Sequence, residues 1–482
     1  MKVRTRFAPS PTGFMHIGNL RTALYGYLYA RHNKGTFILR IEDTDQERIV
    51  EGAVDVIYKT LDIAGIDYDE GPLKDGGYGP YVQSERKGEY LKYAHKLVET
   101  GGAYYCFCTK ERLDSLADEK GVRKYDKHCL NNISIEEAQE RIAAGEPYVI
   151  RQNIPLRGVS EYNDLVFGRI SINMEDMEDN VLIKSDGMPT YNFANVIDDH
   201  LMGINTVIRG TEYLSSTPKY NLLYQSFGWE RPVYMHLPPI MKDRERKLSK
   251  RYGDANFEDF LRKGYLPEAI INYIALLGWS PKDNREKMSM KELIELFNVD
   301  GISKSSSIFD ETKMRWLNSE YIKELSAEKF NEIATPYYES SKIAGKYDYM
   351  KLTHLLMKRT EIFSEIPAML DFLEDFGEYD SNLFIHQRMK TTKEIALDSL
   401  ENALIELKDL NDWTIQGIDG ALSALVERLQ IKKGQILWCV RIAITAQQNT
   451  PGGAMEMADL LGKDRTLERL KFSIAMLKKE LE

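Results

Sequence analysis

Near the N-terminus the apolar positions follow two rhythms. Lys2 to Ala8 and Thr36 to Ile41 are short, mostly apolar runs of strand length. Between them Leu20, Leu24, Tyr27 and Leu28 recur at helical spacing. Pro9, Pro11 and Gly13 end the first strand, and His16-Ile17-Gly18-Asn19 opens the helix. Gln46 to Ala64 reads as a helix, with Ile49, Val50, Val54, Ile57, Tyr58 and Leu61 on one side, and Gln83 to Glu99 as another. Ser134 to Ala144 is helical in pattern, while Tyr148 to Ile154, Leu165 to Ile172 and Val181 to Lys184 read as strands. A helix from Thr190 to Gly203, a strand from Asn205 to Gly210, a helix from Ser215 to Phe227 and a strand from Pro232 to Leu237 follow. From Phe257 onward the pattern is almost wholly helical, with segments such as Glu268–Leu277, Glu401–Leu410, Gly434–Thr445 and Arg465–Leu481.

Strand–helix–strand units at both ends of an interruption predict an α/β fold followed by an all-α half. The α/β part is a split, doubly wound parallel sheet carrying a small α/β insertion. The expected segments are 1–84 and 191–245 for the two halves of the sheet domain and 85–190 for the insertion. The helical half divides into 246–325 and 326–482. The ligand crevice of such a sheet lies at the C-terminal ends of its strands, where Arg6, Glu42 and Arg209 fall.

Composition bounds this picture. The chain has 482 residues, 43% hydrophobic and 29% charged, as expected of a soluble globular protein of several domains. There is no apolar run of transmembrane length, and Met1 to Arg4 does not open a signal peptide. Four cysteines in so long a chain are no disulfide framework, so a cytoplasmic location is expected. The formal net charge of −10 argues against nucleic acid as a bulk partner, yet a basic strip on an acidic body can still bind phosphates.

Candidate chemistry sits in three places. A strand, a glycine-containing turn and a helix N-terminus form a phosphate seat of free N–H groups. There Gly18 permits close approach, and His16 can donate to a phosphate. The loop Met241 to Asp254 is rich in Lys and Arg, including Lys247 and Lys250, point charges able to close on a polyphosphate. Cys106, Cys108 and Cys129 are soft ligands of the kind a structural zinc takes, with Tyr125 and His128 both candidates for the fourth position.

The pair formed by His16-Ile17-Gly18-Asn19 and Lys247-Leu248-Ser249-Lys250-Arg251 resembles the two signatures of class I aminoacyl-tRNA synthetases. Further stretches narrow the resemblance: Arg6 to Gly13, Leu39 to Asp45, Tyr191 to Ala194, and Arg209-Gly210-Thr211-Glu212. Together, and in order along the whole chain, they are similar to bacterial-type glutamyl-tRNA synthetases. The resemblance implies ATP-dependent ligation of L-glutamate to tRNA(Glu) through glutamyl-adenylate, with Mg²⁺ accompanying ATP, by an enzyme expected to be a monomer. It implies an acceptor-stem-binding role for 85–190, a stem contact for 246–325 and an anticodon-binding region in 326–482.

It also implies site residues. Arg6, Ala8, Ser10, Glu42, Tyr191, Asn195 and Arg209 line the glutamate pocket. His16, Gly18, Asn19, Glu212, Tyr213, Ile240, Lys247 and Lys250 border ATP, with His16, Lys247 and Lys250 stabilising phosphate charge. Two arginines and one carboxylate complement a substrate with two carboxylates and one ammonium. For zinc, some relatives use Tyr125 and Cys129 positions as found here, and others a later histidine where this chain has Leu130 and Asn131. Asn19 stands where the wider class usually has a second histidine. Charging of tRNA(Gln) as well is an open alternative, and a nucleotidyltransferase of a small metabolite is the alternative from another class. Lys358 and Arg359 are candidates for reading the anticodon.

Overall fold

The computed structural model describes residues 2–117, 124–248 and 255–482. The chain divides into two compact units, Met1–Leu261 with Pro267–Glu311, and Arg262–Leu266 with Thr312–Glu482.

The first unit is built on parallel pairing. Strand Arg4–Phe7 pairs with Thr36–Leu39, Arg6 opposite Ile38, and helix Ile17–His32 makes the crossover. Strand Thr206–Gly210 pairs with Val233–Leu237, Arg209 opposite His236, across helix Thr217–Phe227. Asn205 joins the two halves: its N–H donates to the Arg4 carbonyl at 3.2 Å and its side-chain oxygen accepts from Arg4 N–H at 2.9 Å. The first helix is buried almost all round, with Leu20, Leu24 and Leu28 fully enclosed, as a helix between layers must be.

The expected interruption is present, with two differences. Ala103–Cys106, Val149–Gln152 and Val181–Ile183 form an antiparallel three-stranded sheet. The predicted strand Leu165 to Ile172 is instead a hairpin of Val159–Asp164 and Gly168–Asn173. Asp164 Oδ1 accepts from the N–H groups of Val166 and Phe167, and Gly168 takes a positive φ, so this stretch turns. The hairpin also pairs in parallel with Val233–Leu237 at Asp164, which carries Asp164 into the main sheet.

The predicted helix Gln46 to Ala64 is broken as well. Gln46–Arg48 is a single 3₁₀ turn and the α-helix is Ala53–Ile63. Gly52, at φ +76°, resets the direction, and Val50 N–H is taken by the Pro11 carbonyl, so Ile49 and Val50 are exposed.

The second unit is helical. It includes Ala327–Glu339 and Tyr349–Leu356, then Lys393–Lys408, Ile415–Leu429, Lys433–Thr445, Ala454–Leu461 and Lys463–Leu481 around a core with Leu400, Leu422, Val440 and Leu470. No described helix is long and apolar enough to cross a membrane.

The turn into the second strand tests this fold. A Cβ on Gly35 would lie 2.4 Å from the Val3 carbonyl oxygen, which Thr36 N–H already holds. Gly35→Ala is expected to destabilise the protein by about 1–3 kcal/mol, the usual cost of overpacking. A urea midpoint unchanged from wild type would refute that packing.

Candidate active site

The crevice residues are set by a buried ionic network at the strand ends. Asp199, on helix Tyr191–Leu201, accepts on one oxygen from Arg6 Nε at 3.0 Å and from Arg40 Nη1 at 2.7 Å. Arg40 Nη2 donates to Glu42 Oε1 at 3.0 Å. Asp198, one residue earlier on the helix, accepts from Arg86 Nε at 2.7 Å and from Gln83 and Tyr90. Arg6, Arg40 and Arg86 thus face Glu42, Asp198 and Asp199, and all six are buried. Burial alone would raise the pKa of Asp199, but Arg6 and Arg40 outweigh it and hold it below the usual carboxylate range. Glu42 is pushed up by burial, against Arg40 and Arg6.

Arg209 is held differently. Its Nε donates to His236 Nε2 at 3.2 Å and its Nη2 to Thr217 Oγ1 at 2.6 Å. Its guanidinium lies over the rings of Tyr220, Tyr213 and Tyr234 at 4.8, 5.1 and 5.6 Å. Tyr191 connects these groups. Desolvation pushes its phenol up, and Glu42, Arg209, Tyr213 and Arg6 all act on it electrostatically. Its ring packs against Tyr213, with centroids 5.3 Å apart. Asn195 follows one turn later, and its side-chain amide donates to the Tyr191 carbonyl at 2.6 Å. Ala8 and Ser10 lie on the turn after the first strand, where Glu42 N–H meets the Pro9 carbonyl. Arg6, Glu42 and Arg209 therefore gather around Tyr191, with Asn195 one turn along the same helix.

The helix start is not the open nest of N–H groups that the sequence implies. Ile17 N–H donates to the Ala255 carbonyl, and those of Asn19 and Leu20 to the His16 carbonyl. Gly18 N–H donates to His16 Nδ1 at 3.0 Å, so a neutral His16 carries its proton on Nε2. Gly18 has a local role too, since a Cβ there would come within 3.1 Å of His16 Nδ1. Asn19 is exposed.

Around His16 the chain returns. Phe257 N–H donates to the Met15 carbonyl, so Ala255 and Phe257 bracket the start of the first helix. The basic loop begins as a hairpin, with Lys242 N–H to the Arg246 carbonyl and Leu248 N–H to the Ile240 carbonyl. Its tip is fixed by Asp243, whose pKa falls to about 2 through hydrogen bonds from Arg246 and from the N–H groups of Glu245 and Arg246. Lys247 and Glu212 are exposed and Tyr213 is half-buried. Lys250 lies outside the described residues.

The cysteine cluster assembles from its three expected members. The sulfurs of Cys106, Cys108 and Cys129 lie within 4.8 Å of one another, Cys108 and Cys129 at 3.5 Å. Tyr125 Oη is 3.4 Å from both Cys106 and Cys108. Sulfurs around a tetrahedral zinc stand roughly 3.8 Å apart, so the donor set fits that ion. Arg151 Nε donates to Cys106 Sγ at 3.3 Å, and hydrogen bonding from Cys129 lowers the Cys106 thiol pKa. Burial pushes the Tyr125 phenol up. His128 is exposed and pairs with Asn132, so of the two candidates it is Tyr125 that joins the sulfurs.

In the helical unit Lys358 and Arg359 line a cavity of about 570 Å³ with Lys351, His354, Glu456 and Asp459.

Sequence reasoning missed Asp198, Asp199, Thr217, Asp164 and His236. The adjacent pair Asp198-Asp199 on the helix that carries Tyr191 was the available signal, because buried acids at a helix end imply buried cations. Nothing local marks His236.

Residues 2–316 match the family model of tRNA synthetases class I (E and Q), catalytic domain, and residues 322–474 match that of an anticodon binding domain. The glutamate–tRNA ligase of Clostridium kluyveri is 56% identical over 483 residues, 99% of each chain. That of Clostridium novyi is 54% identical over 483 residues, 100% of this chain and 99% of the relative. Two crystal structures align over nearly the full length. A glutamate tRNA ligase from Elizabethkingia meningosepticum, in complex with its amino acid, has a TM-score of 0.89 at 33% identity, covering 99% of this chain and all of that one. Glutamate-tRNA synthetase from Elizabethkingia anophelis has 0.90 at 34%, covering 98% of this chain and all of that one.

The network makes a stability prediction. Arg40→Met leaves Glu42 and Asp199 short of a buried cation, and the expected loss is about 3–5 kcal/mol. Equilibrium unfolding in urea measures it, and a loss under about 1 kcal/mol would show that the network is not closed as described.

Proposed function

Because this chain belongs to the class I glutamate–tRNA ligase family, which joins glutamate to tRNA, we propose that its crevice divides into a glutamate pocket and an ATP site. The observation that carries this reading is the convergence of Arg6, Glu42, Tyr191 and Arg209 at the strand ends, on a sheet whose first helix begins at His16.

Arg6 and Arg209 take the two carboxylates of glutamate, and Glu42 takes the ammonium. Arg6 Nη2, Arg209 Nη1 and Glu42 Oε2 have no hydrogen-bond partner among the described residues, which supports that assignment. Ala8, Ser10, Tyr191 and Asn195 complete the pocket. The glutamate α-carboxylate attacks the ATP α-phosphorus, and pyrophosphate leaves. The 2′-hydroxyl of the tRNA terminal adenosine then attacks the adenylate carbonyl, and AMP leaves. Both steps run on positioning and charge stabilisation.

His16, with Nε2–H as donor, contacts phosphate, and Lys247 and Lys250 close over it. The bonds from Ile17 to Ala255 and from Phe257 to Met15 support this, since they hold Ala255 and Phe257 beside the start of the first helix. Gly18, Asn19, Glu212, Tyr213 and Ile240 border the nucleotide, and magnesium arrives on the ATP phosphates. Lys358 and Arg359, exposed on the wall of the cavity in the helical unit, face the anticodon.

Cys106, Cys108 and Cys129, with Tyr125, would hold a structural zinc, tying the end of strand Ala103–Cys106 to helix His128–Asn132. Elemental analysis of the purified protein is expected to find about one zinc per chain, lost in Cys108→Ser. A metal-free wild type with a normal melting curve would retire the zinc.

Lys250→Ala is expected to slow ATP–pyrophosphate exchange, measured with tRNA(Glu) present, by roughly 100-fold or more while sparing tRNA affinity. Exchange near the wild-type rate would overturn the role of the lysine loop.

A further inference from the structure

We propose that His236 and Asp164 are positioning residues for Arg209, a two-residue buttress that orients its guanidinium toward a carboxylate of the substrate. The proposal rests on the reading of Arg209 as a glutamate-binding residue.

The geometry fixes the proton positions along the chain of bonds. Asp164 Oδ2 lies 2.7 Å from His236 Nδ1 and also accepts the His236 backbone N–H at 3.1 Å. His236 Nδ1 therefore carries the ring proton. The guanidinium Nε always carries a hydrogen, so His236 Nε2 at 3.2 Å must be the acceptor. The imidazole is neutral and in one tautomer.

Thr217 cannot substitute for it. Its hydroxyl also stands 3.3 Å from His236 Nε2, but its single proton goes to the nearer Tyr213 carbonyl at 2.7 Å, and its lone pairs accept from Arg209 Nη2 at 2.6 Å. One edge of the guanidinium, Nε and Nη2, is thus fully used. The other edge, at Nη1, is left for the crevice. All of these side chains except the guanidinium's free edge are enclosed: His236 and Thr217 are 0% exposed and Asp164 3%.

The alternative to such a holder is an ion pair, and it would work less well. A carboxylate on Arg209 would compete with the substrate for the same cation. A neutral imidazole orients the guanidinium without competing for its charge.

The test uses two amides of different reach. In His236→Gln the side-chain oxygen stands near the place of Nε2 and can still accept from Arg209. In His236→Asn the amide stands near the place of Nδ1 and reaches only Asp164. Aminoacylation of tRNA(Glu) gives the KM for glutamate and for ATP in each variant, with thermal melting as the control for folding. The Asn variant is expected to raise the glutamate KM about tenfold or more, the value of a hydrogen bond to a charged group. The Gln variant should stay within about threefold of wild type, and the ATP KM should be unchanged in both.

Equal glutamate KM values in the two variants would overturn the proposal. So would a rise in ATP KM in step with that of glutamate, or loss of folding in either variant, which would make His236 a packing element only. Arg209→Gln, assayed in parallel, separates the layers. If it leaves the glutamate KM unchanged, the pocket assignment itself has failed. If it raises that KM while His236→Asn does not, only the buttress has failed.

Discussion

One carboxylate oxygen, Oδ1 of Asp199, accepts hydrogen bonds from two guanidiniums, and the crevice is arranged around that sharing. Arg6 comes from the first strand, Arg40 from the end of the second, and Asp199 from a helix far later in the chain. The bond therefore closes the split between the two halves of the sheet at the point where the ligand crevice lies. Asp198 repeats the device one residue earlier by drawing in Arg86, so the segment after the second strand is tied to the same helix. A buried ion pair gives little net stability over apolar packing, because desolvation cancels most of its Coulomb energy. What it gives here is direction. Arg6 is held through Nε and Nη1 and Glu42 through Oε1, and each keeps one polar atom, Nη2 and Oε2, without a hydrogen-bond partner among the described residues.

Under the proposed reading, that leftover set is what selects the amino acid. A guanidinium offers only N–H donors. The amide nitrogen of glutamine would set donor against donor at whichever arginine faces the side chain, whereas a carboxylate accepts on both oxygens. Unpaired polar groups in a desolvated site are a stronger rejection than any difference in shape, since glutamate and glutamine are nearly isosteric.

The sequence carried those parts of the fold and site that depend on local pattern. Strand–helix–strand order, the helical second half and the strand-end positions of Arg6, Glu42 and Arg209 all follow from periodicity and topology. The cysteine cluster did too, because alternate residues on a strand end bring Cys106 and Cys108 to one face. What failed were features set by contacts and backbone turns that apolar periodicity does not register. The N–H groups of Ile17 and Gly18 looked free because their acceptors, Ala255 and the His16 ring, are not adjacent in any periodic sense. Ile49 and Val50 looked buried until Gly52 broke the helix between them and the core. His236 reads as one polar residue in an apolar strand, and only the parallel register opposite Arg209 gives it a function.

Arg6 and Arg209 are in different electrostatic states, and under the proposed reading the difference bears on how the pocket works. Arg6 is already offset by Asp199, so a ligand carboxylate there adds to a pair. Arg209 has no carboxylate partner among the described residues, only a neutral imidazole, a hydroxyl and three aromatic rings. At 5% exposure it is a buried cation, and the groups around it, Asp199 among them, favour its charge by more than desolvation disfavours it. The ring faces offset part of the desolvation cost, by about 0.5–2 kcal/mol for a good cation–π contact. Under the proposed reading, holding Arg209 by hydrogen bonds to neutral groups, rather than to a second Asp199, leaves its free edge to a substrate carboxylate.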